Sequence, residues 1–307
     1  MADHGAAGAR MVQVDEVPTD GPRAADAAWQ PTIGPFECFG QRWSLRTPHA
    51  ELAAFLAEMY APMLAHNRRD RNGVVFSVLP PDGDRLGVVL RDGRVLVERP
   101  TPSATLGTLI WAINRHVIDD SARPLILHAA AAAKDGSVVV LPAPMESGKT
   151  TLVTGLLDRG WDYLTDEAAA IHPDGTVEGY PKPLSIDPGS WEVLRHHEPR
   201  VEPSIADYLE RQWQVAPSSF TGVVRSGPVR VIAFPSYRHG QNTAVREVPP
   251  AEALLRMANC SFQTRTASFD APMVRQLAKL VESTIVLEIT GGHLEESCEA
   301  LETAFAG

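Results

Sequence analysis

Apolar residues fall at near-helical spacing over 51–64, where Leu52, Phe55, Leu56, Met59 and Leu64 predict an amphipathic helix. Short strand-like runs follow at 73–79, 86–90 and 94–98. They are separated by Pro80-Pro81-Asp82-Gly83 and by Asp92-Gly93, and an Asp-Gly pair between two apolar runs is a hairpin signal. A second helix is expected over 105–117, with Leu106, Leu109, Ile110 and Ile113 on one face. From residue 124 the pattern changes. Aliphatic runs at 124–128 and 137–141 flank an Asp135-Gly136 turn, and a glycine-containing loop then leads into a helix over 149–159 that Gly160 ends. Strands are expected at 163–165, ending on Asp166 and Glu167, and at 168–171, before the turn Pro173-Asp174-Gly175. The remaining elements are a strand at 229–234, helices at 251–257 and 273–281, a strand at 284–289 and a helix at 294–305. There is no internal repeat and no heptad pattern.

This reading divides the chain into a disordered leader over 1–29, rich in Ala, Gly, Asp and Pro, a small α+β domain over 30–121, and an α/β domain over 122–307. Hydrophobic residues make up 44% of the chain and charged residues 21%, the balance of a soluble globular protein. The net charge of -10, with no basic stripe, gives no footprint for nucleic acid or an anionic membrane. No apolar run approaches the roughly 20 residues that span a bilayer, and the N-terminal stretch has no apolar segment of a secretory signal. Cys38, Cys260 and Cys298 are far apart and form no CxxC pair, so reduced thiols and a cytoplasmic setting are expected. A homo-oligomer is left open.

The chemistry concentrates in Ala143-Pro144-Met145-Glu146-Ser147-Gly148-Lys149-Thr150, followed by Thr151. The pattern is that of a phosphate-binding loop, G-x-x-x-x-G-K-[ST], with Ala143 where the first glycine usually stands. Strand before and helix after are the context the motif requires. Successive backbone N–H groups in such a loop make an anion nest, and the following helix N-terminus adds partial positive charge. Lys149 would bridge the β- and γ-phosphates and the Thr150 hydroxyl would ligate magnesium. The expected ligands are therefore ATP, or another nucleoside triphosphate, and Mg2+. Asp166 and Glu167 lie one strand downstream, where one carboxylate would hold magnesium and the other would take a proton from an attacking hydroxyl. His128 closes the aliphatic run before the loop.

The block LHAAAAAKDGSVVVLPAPMESGKTTLVTGLLDRGWDYLTDEAAAI resembles the catalytic core of the HPr serine kinase/phosphorylase family, and more closely the HPr-kinase-related kinases of biosynthetic gene clusters. His128 stands 21 residues ahead of Lys149, as the family's histidine does, and Asp166 and Glu167 follow that lysine at 17 and 18 residues, where the family has paired aspartates. Arg159-Gly160 matches the family's helix ending. The resemblance implies Asp166 as general base, Glu167 as a metal partner and His128 near the phosphates. Tyr180-Pro181-Lys182-Pro183-Leu184-Ser185 and Phe234-Pro235-Ser236-Tyr237-Arg238 resemble two further segments of the related kinases, which makes Lys182 and Arg238 candidates to neutralise transferred phosphate, or else surface cations. The similarity spans 124–305. It implies an α/β fold with a P-loop core of the HPr kinase/phosphoenolpyruvate-carboxykinase type, a mixed sheet flanked by helices. The strict family's C-terminal signature for its protein substrate is absent, which argues against HPr as acceptor.

Three functions are consistent with these residues. The first is a kinase that moves the γ-phosphoryl group of ATP to an alcohol, either a peptide serine or threonine or a small molecule. The second is a non-catalytic nucleotide-binding regulator or scaffold. The third is a carboxykinase-like or hydrolytic enzyme, for which the chain is short and no oxaloacetate site is visible. Trp43, Trp111, Trp191 and Trp213 are candidates for a substrate pocket, although scattered tryptophans more often sit in the core.

Overall fold

The computed structural model describes residues 29–70, 72–123, 125–220, 222–262 and 270–307. The expected leader lies outside them, apart from Trp29. The first sheet has strand order β1-β2-β3-β4-β5: β1 (Ile33–Cys38), β2 (Gln41–Arg46), β3 (Val74–Leu79), β4 (Gly87–Arg91) and β5 (Arg94–Arg99). Only β2 and β3 pair in parallel, and α1 (Ala50–Met59) makes their crossover. α1 stops short of the expected 64 because Pro62 sits in a 3-10 turn, Ala61–Met63, that the helix cannot continue through. The β4–β5 turn is made by Asp92 and Gly93, both at positive φ, as the Asp-Gly signal predicts. α2 (Pro102–Asp119) then packs on this sheet. It begins three residues before the apolar periodicity because Thr101 accepts a bond from Ala104 N at 3.2 Å and Pro102 occupies the first helical position.

The larger sheet is mixed. In chain order its region contains β6 (Ile126–Lys134), β7 (Ser137–Pro142), α3 (Lys149–Asp158), β8 (Asp162–Thr165), β9 (Ala168–Ile171), β10 (Thr176–Gly179), β11 (Leu184–Ile186), a one-turn α4 (Pro203–Ala206) and β12 (Trp213–Val215). It continues through β13 (Ser226–Tyr237), β14 (Ala244–Glu247), α5 (Pro250–Asn259), α6 (Ala271–Glu282), β15 (Ile285–Gly291) and α7 (Leu294–Ala306). The strand order is β10-β9-β6-β7-β13-β15-β14, and β8 also pairs with β6. β7, β13 and β15 run parallel, while β6, β14 and β10 oppose their neighbours. The start of β13 also pairs with β10, which closes β10, β9, β6, β7 and β13 into a ring of pairings. β11 and β12 form a separate ribbon.

Both faces of this sheet are covered. Ile126, Ala130 and Ala132 of β6 face one core with α3 and α7, while Leu127, Ala129, Ala131 and Ala133 face a second core with α5 and α6. The first core is continuous with Phe36, Trp43, Leu52 and Ile113 of the first sheet and its helices. One expectation needs correction here. The aliphatic run at 124–128 does not end at His128: β6 continues through five fully or almost fully buried alanines, Ala129–Ala133. Alanine favours helix in isolation, and only the close sheet neighbours hold this run extended. Asp166 and Glu167 follow the end of β8, as expected. β8 and β9 both pair antiparallel with β6, Thr165 opposite Ala131 and Ala168 opposite His128, so the acidic pair is a bend within one continuous pairing. The Ala129 N–H still donates to the Glu167 carbonyl at 3.2 Å.

Among the described residues no helix is long and apolar enough to cross a membrane. None of the three cysteines is in a disulfide.

Candidate functional site

The loop from Ala143 to Gly148 joins the end of β7 to the start of α3. Gly148 caps α3 at φ 88°, and Glu146 also has positive φ, at 62°. Ala143 is not among the residues with positive φ, so alanine there carries no backbone strain in place of glycine. A side chain on Gly148 would lie 3.2 Å from Tyr237 Cβ, because the end of β13 runs against the loop, where Tyr237 N donates to Ser147 O at 3.3 Å. Among the described residues no protein acceptor takes the backbone N–H of Ser147, Gly148, Lys149 or Thr150. Ser147 Oγ is buried with no partner. These unbonded donors at a helix start make an environment suited to an anion.

Lys149 is buried, and its ammonium donates to Pro144 O at 2.7 Å, curling back over the loop. Burial pushes its pKa down, opposed in part by the charges of Glu167 and Asp166. Thr150 follows in the first turn of α3, and Thr151 Oγ1 lies 2.6 Å from Ser190 Oγ.

Asp166 is 4% exposed and fully engaged. Lys182 Nζ sits 2.8 Å from its Oδ1, the Tyr163 hydroxyl donates to Oδ1 at 3.0 Å, and Ser185 N donates to Oδ2 at 3.0 Å. Lys182, itself 1% exposed, also donates to Pro183 O and Ser185 Oγ, and is no surface cation. The chain of bonds runs on from Ser185 Oγ to Gln214 Oε1, from Gln214 to Gln212 and from Gln212 to Asp187. Burial, then the Asp166 charge, pushes the Tyr163 hydroxyl far above its ordinary pKa, so it serves as a neutral donor. Glu167 is more open, with 30% of its side chain exposed, and its Oε1 lies 4.0 Å from His128 Nε2. The His128 ring stands edge-on to Phe262 at 5.8 Å.

A cavity of about 620 Å³ opens beside the loop. Its walls are Glu146–Leu152, the segment from Ser185 to Val193, the ends of β13 and β15, and His293, Leu294 and Ser297 at the start of α7. The structure thus gathers the loop residues, with Lys149, Thr150 and Thr151, around one opening. It places Asp166 directly behind Ser185, and leaves Glu167, with His128 4.0 Å from it, off the cavity wall. Arg238 is exposed on the turn after β13, beside the loop but also off that wall. None of Trp43, Trp111, Trp191 and Trp213 lines the cavity: Trp43 is core, Trp111 is half exposed on α2, and Trp191 stacks on Trp213 with ring centres 4.9 Å apart. The wall residues Asp187, Glu192, His293 and Ser297 carry no sequence signal, because they arrive from separate segments.

No family model matches the chain, and no curated protein matches it. Among solved structures the chain is similar to the Hpr(Ser) kinase/phosphatase from Coxiella burnetii at 11% identity, over 58% of this chain and 90% of that one, with a TM-score of 0.26. An overlap of that size carries no argument about fold or activity.

Proposed function

We propose that the chain is an ATP- and magnesium-dependent kinase that transfers the γ-phosphoryl group to an alcohol, either a peptide serine or threonine or a small molecule. The observation that carries this reading is the loop itself: unbonded N–H groups from Ser147 to Thr150, the partnerless Ser147 Oγ and the inward Lys149, all at the mouth of a nucleotide-sized cavity. In this reading the loop N–H groups and Lys149 hold the phosphates, whose negative charge opposes the effect of burial on the lysine. Thr150 and Glu167 would hold magnesium, whose charge offsets that of the transferring group. Asp166 is the proposed base. Its three donors orient it, and it takes the acceptor's proton as the Ser185 contact yields. His128 orients Glu167, and Arg238 meets the incoming phosphates from the β13 turn. The bond to the leaving ADP oxygen breaks as the acceptor oxygen bonds phosphorus. Most of the acceleration comes from positioning and charge.

A second reading, a nucleotide-binding regulator without turnover, is favoured by one observation: Asp166 is closed off in its ion pair with Lys182 and does not line the cavity. A γ-phosphate transfer assay with free serine, Ser/Thr peptides and sugars as acceptors separates the two. The kinase reading expects a phosphorylated acceptor from the wild type, and its loss in Asp166→Asn with nucleotide affinity retained. Tight nucleotide binding with no product from any acceptor would support the regulator. Loss of product in Glu167→Gln but not in Asp166→Asn would move the base to Glu167.

A further inference from the structure

Away from the loop, one cluster of metal-ligating side chains serves no part of the chemistry above. Asp158 closes the last turn of α3, and His196 and His197 belong to a 3-10 turn, Arg195–His197, just after the segment that walls the cavity. His196 Nε2 lies 2.9 Å from Asp158 Oδ2 and His197 Nε2 lies 2.7 Å from Oδ1. The three donor atoms fall within 4.8 Å of one another. Adjacent residues on a tight turn ordinarily point their side chains apart. Here the two rings lie with centres 4.2 Å apart, and His197 packs on Phe220 at 5.0 Å, so both Nε2 atoms converge on one carboxylate. His197 is nearly buried while His196 is largely exposed, which leaves one side of the trio open to solvent.

We propose that Asp158, His196 and His197 form a divalent transition-metal site, with zinc the ion that their donors fit, which pins the cavity wall to the far end of α3. Two imidazole nitrogens and a carboxylate oxygen are borderline donors suited to zinc, and the open side leaves room for water as a fourth ligand. Each ring would keep its remaining proton on Nδ1 and turn the Nε2 lone pair to the ion, so neutral rings release no proton. The ion joins residues 38 positions apart. One is on the helix that starts at the loop, and the others lie just after Ser190, Glu192 and Val193 of the cavity wall. The site is independent of the kinase reading.

The test uses the untagged full chain, stripped with chelator, equilibrated with zinc chloride, desalted and assayed for zinc by mass spectrometry. About one zinc per chain is expected in the wild type and in Lys149→Ala, and at least about tenfold less in Asp158→Asn and His197→Gln. On the wild type alone, zinc should protect His196 and His197, out of the chain's 10 histidines, from diethylpyrocarbonate. That measurement decides the matter if either variant fails to fold. A wild type that retains no zinc, variants that retain as much as wild type, or unprotected His196 and His197 would each reduce the trio to a plain hydrogen-bonded cluster.

Discussion

A lysine that is 1% exposed persists in a core only beside a countercharge, and Lys182 has Asp166 at 2.8 Å. Lys182→Met would leave that carboxylate buried and without its cation, and unfolding in urea should show a loss of about 3–5 kcal/mol. Lys182→Met with Asp166→Asn should recover part of this, since the two residues share one interaction. Lys149 is the opposite case. Burial lowers its pKa, and its ammonium has a carbonyl but, among the described residues, no ion pair. Lys149→Met should therefore leave stability unchanged or raised, while calorimetric titration shows nucleotide affinity about 10- to 100-fold weaker, in line with about 1.5–3 kcal/mol for a charged hydrogen bond. The loop residues are legible in the sequence because their chemistry is local: successive N–H groups, a glycine that caps a helix, a lysine one position on. The partners of Asp166 are not. Tyr163 stands three residues before it on β8, but Lys182 and Ser185 reach it from a later segment whose approach no local pattern records. The only local sign is Lys182 between two prolines, which hold the backbone extended.

α3 and α7 meet at Gly155, where an added Cβ would lie 2.8 Å from Leu294 Cδ1 and 2.9 Å from Cys298 Sγ. Gly155→Val should push the two helices apart and cost about 1–3 kcal/mol, read as a lower midpoint of thermal unfolding. The other end of α7 is tied by Glu302, which accepts from Lys134, Arg159 and the Trp161 indole. Burial raises its pKa, but these bonds win and draw it from 4.5 down to about 2. A depressed carboxylate gives stability that is present above its unfolded pKa and is lost as pH falls through the folded one. This tie should thus weaken between about pH 4.5 and pH 2, and Glu302→Gln should flatten the wild type's loss of stability over that window in acid titration followed by circular dichroism. Elements with a strong period are visible in the sequence, α1, α2 and α7 among them. β1 and β2 escape notice because polar residues break their runs, β10–β12 because three or four residues hold too little pattern, and β14 because all four of its residues are exposed. The strand end at Asp166-Glu167 is legible because two acids after an apolar run look like a loop; that β6 pairs with the chain on both sides of it is not.

The two sheets share one hydrophobic cluster, and polar ties cross the same boundary. Arg225 donates to the carbonyls of Pro62 and Glu37, and the Tyr180 hydroxyl donates to Asn114 Oδ1. A continuous core argues for joint unfolding. Tryptophan fluorescence and far-ultraviolet dichroism should trace coincident urea transitions, and Arg225→Ala should shift both together. Two separated transitions would make the sheets independent units. Composition and helix periodicity announce the two regions along the chain, but not their shared interior, because Phe39 and Tyr180 come together only through tertiary packing. The alanines of β6 carry a further consequence for how this interior assembles. Their intrinsic preference opposes the state they occupy, and isolated helices that short are not stable either. The run has no conformation of its own to offer a folding nucleus, so it becomes extended only once β7 on one side and β8–β9 on the other are close enough to bond it. The middle of the sheet should then be the last part to order, with amide protection along β6 appearing after that of the flanking helices in pulsed hydrogen exchange.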